Sequence, residues 1–227
     1  MSHSTDYMIT CPCGMVFHSK IYEYVNTRQD PQLRYTVLAG LLNISTCPNC
    51  GRRAAHPRHF IYSDPEHSLL VYVDPSSDIS EEARQLTLDK LRSVHQEVGI
   101  EVNYTFPAGE KSRGEERGMG VIIPARQQRK EANAPSAPPL HVVFGLDQLH
   151  ELINASLSQQ ERLGRLALRT SSHREAERGQ LLDIARKFAS ELQCQVDVEI
   201  LPGEYTVWLY GSRRQIGAIM RELTPQG

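Results

Sequence analysis

Four cysteines in two tight pairs constrain this chain more than any other feature: Cys11-Pro12-Cys13-Gly14 near the start and Cys47-Pro48-Asn49-Cys50-Gly51 further on. In a reducing compartment, cysteines spaced this closely are metal ligands rather than disulfide partners. A structural zinc ion takes four thiolates in a closed tetrahedron, with sulfurs about 2.3 Å from the metal, as pairs carried by two separate turns. In the second pair Pro48 fixes one backbone dihedral and Gly51 permits a positive φ, so backbone N–H groups can turn toward the sulfurs. The first pair has a single residue between its cysteines, a tighter bite that still lets both sulfurs reach one ion. The expectation is therefore one zinc site made by Cys11, Cys13, Cys47 and Cys50, holding together an N-terminal domain. His18, His56 and His59 are the available substitutes for a thiolate, and Cys194 stands alone.

The residues around the cysteines read as short elements. A strand over 6–10 leads into the first turn, and Met15, Phe17, Ile21 and Tyr22 suggest the return strand of a zinc-ribbon hairpin. Leu33, Val37, Leu38, Leu41 and Leu42 recur at helical spacing, which predicts a helix over 31–42 with Gly40 and Asn43 as stop signals. A short strand over 44–46 then delivers the second cysteine turn. The β-branched and aromatic runs 59–62 and 69–73 predict a hairpin, Ser80 caps a helix carrying Leu86, Leu88, Leu91 and Val94, and a strand over 100–106 closes the domain.

From Pro107 the texture changes to polar, glycine-rich and then proline-rich sequence, which resists packing and predicts a linker over 107–139. An apolar island at 119–123 interrupts it. Beyond the linker, 141–144 reads as a strand and Asp147 caps a helix whose apolar stripe is extended by Leu163, Leu166 and Ala167 toward Arg169. Ser172 and Glu175 form a capping box for a helix bearing Leu181, Ile184, Phe188 and Leu192. Val196, Val198 and Ile200 alternate along one strand, 205–210 alternates back, and a short amphipathic helix ends the chain. The expected fold class is α+β: a zinc-ribbon-containing domain over 1–106, a linker over 107–139, and a small α+β sandwich domain over 140–227 with order β-α-α-β-β-α.

One set of motifs resembles a known family. Cys-Pro-Cys-Gly, Val25-Asn26, Asp30-Pro31, Gly40-Leu41-Leu42-Asn43, Thr46-Cys47-Pro48-Asn49-Cys50-Gly51 and Ile61-Tyr62-Ser63-Asp64 together look like the bacterial CpXC family, named for its two Cys-Pro-x-Cys motifs. The resemblance covers roughly residues 7–100 and implies a metal-binding domain without an assigned activity. The first cysteine pair departs from the family's pattern by lacking the x residue.

Composition narrows the function. Lys and Arg total 25 against 27 for Asp and Glu, so a formal charge of -2 provides no field that would draw the chain onto polyanions. The N-terminus has neither a basic start nor an apolar core, and no stretch reaches the 18 or so apolar residues a membrane span needs. A cytoplasmic protein without a membrane partner is expected. Four thiolates close the zinc shell, and no Gly-x-Ser-x-Gly, phosphate loop or His-Glu-x-x-His occurs. Asp64, Asp74 and Asp78 read as turn and capping residues, and Trp208 with Tyr210 as an exposed aromatic strip. The function expected is that of a non-enzymatic regulatory or adaptor protein acting on a protein partner. The alternative is a nucleic-acid-binding zinc ribbon using Arg52, Arg53, His56, Arg58 and His59.

Overall fold

The computed structural model describes residues 1–98, 102–104, 139–171, 174–201 and 203–223. Residues 107–138 of the linker expected over 107–139, with its apolar island, Gly99 and residues 100, 101, 105 and 106 of the closing strand, and Ser172 of the capping box lie outside the described residues.

In chain order the elements are β1 (His3–Thr10), β2 (Val16–Asn26), α1 (Gln32–Leu38), β3 (Ile44–Thr46), β4 (Arg53–Ala55), β5 (Phe60–Asp64), β6 (Leu69–Asp74), α2 (Glu81–Val98), β7 (Val102–Tyr104) and β8 (Leu140–Phe144). They continue with α3 (Leu146–Ser156), β9 (Leu163–Thr170), α4 (Glu175–Leu192), β10 (Gln195–Leu201), β11 (Glu204–Ser212) and α5 (Arg213–Leu223). The fold is mixed α+β. Six strands form one sheet in the order β1-β2-β5-β6-β8-β7, three form another in the order β10-β11-β9, and β3 pairs with β4 alone.

The large sheet joins antiparallel hairpins, β1 with β2 and β5 with β6, to parallel neighbours, β2 with β5, β6 with β8 and β8 with β7. The strand expected to open a separate C-terminal domain is thus an inner strand of this sheet, and the expected division at residue 140 is not where the sheets divide. The reason lies in Leu140, Val142, Val143 and Phe144. All four are buried, Val143 against α3 and Val142 and Phe144 against α2, which is the two-faced burial of a strand in a covered parallel sheet. Leu149, Ile153 and Leu157 of α3 and its end join the same core as Val25, Tyr62, Val71 and Val73.

Two further expectations are corrected. Residues 163–170 are strand β9 rather than a continuation of the preceding helix. That helix ends at Ser156, Ser158 follows in a turn with its N–H donating to Glu161 Oε2 at 3.0 Å, and beyond it Leu166 and Leu168 face one side and Arg165 and Arg169 the other, the period of a strand. Trp208 and Tyr210 are half-buried, not an exposed strip: Arg165 and Arg169 lie over the indole, and Tyr210 packs on the large core.

Helix α1 is the hub between the two sheets. It is shorter than expected because Gly40 adopts φ +69°, and the N–H groups of Gly40 and Leu41 return to Val37 O and Thr36 O, a glycine C-terminal cap. Residues 33–38 are all buried. The hydroxyl of Tyr35 donates to Glu161 O, that of Thr36 donates to Gln195 Oε1, and His150 Nε2 donates to Val37 O at 2.9 Å. No described helix is long and apolar enough to cross a membrane.

Candidate metal centre

Each cysteine pair occupies the turn of a hairpin. Between β1 and β2, Cys11 N donates to Met15 O at 2.8 Å and Gly14 N to Cys11 O at 2.9 Å, with Gly14 at φ +87°. Between β3 and β4, Cys47 N donates to Arg52 O and Gly51 N to Cys47 O, both at 2.9 Å, with Gly51 at φ +69°. A side chain at either glycine would meet the steric cost of the left-handed region. The two turns face each other.

The expected four residues come together. Cys11 Sγ lies 3.6 Å from Cys50 Sγ, and Cys13 Sγ lies 3.6 Å from Cys47 Sγ. All four sulfurs fall within 4.8 Å of one another. A tetrahedron of sulfurs about 2.3 Å from a central ion has edges of about 3.8 Å, so the spacing fits one metal ion. It is far beyond the roughly 2.05 Å of a disulfide, and all the cysteines are free. The tight Cys11-Pro12-Cys13 bite therefore reaches, because its two sulfurs each pair across to the opposite turn rather than to each other.

Burial divides the ligands: Cys11 and Cys47 are buried, Cys13 and Cys50 exposed. The Cys13 thiol is lowered to about 6, first by the backbone N–H of Met15, then by the Asn49 amide, which donates to Sγ at 3.6 Å, and by the Cys11 thiol. The Cys11 thiol moves to about 12: the backbone N–H of Cys13 pulls it down, but burial and the crowding of the Cys13, Cys47 and Cys50 thiols outweigh that pull. The hydrogen bonds to the Cys13 sulfur favour its thiolate form, a negative charge that a cation would neutralise.

Asn43, buried and at φ +58°, joins the second turn to the large sheet. Its Oδ1 accepts from Tyr22 N at 2.7 Å and its Nδ2 donates to Tyr22 O at 3.0 Å, so the side chain completes β2 as a strand partner would. Ser45 Oγ bonds Ser19 Oγ and His56 Nε2, both at 2.7 Å. His56 is thereby spent, His59 lies 3.5 Å from Asp74 and stacks on Tyr72, and His18 is exposed, so none of the three candidate histidines joins the thiols.

A second cluster had no sequence signal beyond a lone cation among apolar residues at 33–38. Arg34 is buried, and its Nε and Nη2 donate to the two oxygens of the fully buried Asp64 carboxylate at 2.9 Å each. Tyr62 donates to Asp64 Oδ2 at 3.2 Å, and His67 Nδ1 lies 3.1 Å from Oδ1. Asp64, Glu66 and His67 have the mutual spacing of metal ligands, yet Arg34 Nη2 already sits among them, 3.3 Å from both Glu66 Oε2 and His67 Nδ1. The guanidinium fills the cation's place. Asp64 is therefore more than the turn residue its Asp-Pro context suggests.

Against known families, the sequence model described as "CpXC protein" matches residues 9–159. No curated protein and no solved structure matches the chain.

Proposed function

Because the chain belongs to the CpXC family, whose matched span holds all four paired cysteines, we propose that it is a zinc-stabilised, non-enzymatic regulatory or adaptor protein that works by binding a protein partner. The observation that carries this reading is the set of four sulfurs within 4.8 Å of one another, supplied by two facing turns. Four thiolates suit zinc and complete its tetrahedron, leaving no ligand position for substrate or activated water. The ion's work is then to hold two hairpin turns in one arrangement.

The basic run after Gly51 gives less support to nucleic-acid binding. Arg53 is paired with Asp197, His56 is bonded to Ser45, Arg58 lies over the Tyr7 ring at 5.2 Å, and His59 stacks on Tyr72. These groups are committed within the chain instead of forming a row open to phosphates.

Elemental analysis of the full chain purified without added metal should find about one zinc per chain; no metal, with four titratable thiols, overturns the site. The mode of action is tested on the metal-loaded chain. Tight retention of DNA or RNA that weakens steeply with salt and disappears on charge reversal at Arg52 and Arg58 overturns the protein-partner reading in favour of nucleic acid.

A further inference from the structure

The family match ends at residue 159, yet the second cysteine turn rests on residues beyond it. Strands β3 and β4 have three residues each, and a two-stranded ribbon of that size is not stable by itself. One of its sides is held by Asn43 and Ser45 against β2. Its other side meets β10, an edge strand of the small sheet.

Three contacts define that meeting. Arg53, three residues after Cys50, donates from Nη2 to Asp197 Oδ2. The same nitrogen reaches Val198 O at 3.3 Å. A Cβ built on Gly51 would stand 3.4 Å from Ile200 Cβ, so the turn touches β10 along more than one residue. The Asp197 side chain is 13% exposed, a carboxylate withdrawn from water with Arg53 as its cation. Gln195 Nε2 donates to Val196 O at 2.9 Å, so with Arg53 on Val198 O two carbonyls of β10 are taken by side chains.

Resting on the reading of the four thiols as a metal site, we propose that Asp197 is a positioning residue of that site: it fixes Arg53, and through Arg53 it holds the Cys47–Cys50 turn in register with the Cys11–Cys13 turn. Residues outside the family's matched span thereby complete the metal centre of this chain. Four thiolates around a divalent ion carry a net negative charge, and a guanidinium anchored beside the turn is the cation such a charge favours. The linkage runs both ways: whatever β10 contributes to metal affinity, the metal returns to the docking of β10.

The test uses the full chain with cobalt(II) as a spectroscopic probe, its thiolate charge-transfer absorption followed during competition with a chelator. Asp197→Asn should weaken cobalt binding about 10-fold, the lower end of what supporting residues contribute to metal sites. Arg53→Ala should weaken it equally, the double variant no further than either single one, and Asp197→Glu should restore most of the affinity. Amide exchange of β10 should also speed up when the wild-type chain is stripped of metal. Wild-type affinity in both single variants overturns the positioning role, as do losses that add in the double variant. A purely structural Asp197 would lower thermal stability with and without metal and leave the chelator competition unmoved. Absence of any thiolate-to-cobalt absorption in the wild type is a different failure, that of the metal site itself.

Discussion

Arg34 lies on a helix buried on every side, and burial of its guanidinium would be prohibitive without the bidentate Asp64 carboxylate. Burial alone would raise the Asp64 carboxyl, but the hydrogen bonds and charge of Arg34, followed by those of His67, outweigh it and hold it below its ordinary range. A carboxyl lowered in the folded state contributes stability that is complete above the unfolded value and is lost as pH falls through the folded one. Asp64→Asn should therefore cost about 3–5 kcal/mol at neutral pH, read by urea unfolding, and should flatten the acid limb of the stability profile; an unchanged acid limb refutes the assignment. Asn43 offers a finer test. Asn43→Ala forfeits two buried hydrogen bonds and places a Cβ residue without local side-chain bonding at positive φ, for about 2–3 kcal/mol, whereas Asn43→Gly should recover only the backbone part, about 1 kcal/mol. At this scale the four cysteines were legible because their spacing is turn chemistry, settled within a few residues. The Arg34–Asp64 pair was not, since its partners are separated by 30 positions and each has an ordinary local explanation.

Strands and helices were legible where their period is unambiguous. β10 and β11 alternate in sequence and pair as read, Val198 opposite Val207, and Ser80 caps α2, its Oγ accepting from Ala83 N at 3.3 Å. β9 was misread because Leu163, Leu166 and Ala167 fall at helical spacing, while the strand's alternation is carried by Leu166 and Leu168 against Arg165 and Arg169; what decides is the neighbouring strand, whose Trp208 stands opposite Ala167. The two readings differ in a measurable way. On β9, Leu168 packs into the small sheet's core beside α4 and α5, so Leu168→Ser should cost about 2–3 kcal/mol, while Arg165→Ala on the other face should change stability by under about 1 kcal/mol beyond its contact with the indole. Equal costs at both positions would mean the faces are not as described. Short apolar runs such as 140–144 carry no information on which sheet they join, and that could not be settled from the sequence.

For the molecule as a whole, the metal centre stands apart from the main core, which contains none of the cysteines. Chelation should therefore speed amide exchange over β1's end, the start of β2 and the β3–β4 hairpin, together with β10, while the protected amides of β5, β6 and β8 keep their rates. Collapse of protection throughout the large sheet would instead make the ion a global staple, as the sequence alone suggested. The same sheet carries a consequence for biosynthesis. β8 is inserted between β6 and β7 and pairs with both, so a nascent chain that has exposed residues 1–104 presents β6 with an open parallel edge and β7 with no described strand partner until residues 140–144 leave the ribosome. Synthesis at roughly 5–20 residues per second makes that interval seconds long, a window in which an unpaired apolar edge invites association with other chains. A chain terminated after residue 106 should remain in that state and aggregate, whereas the full chain has the missing strand and its covering helix and should stay monodisperse on a sizing column at the same concentration.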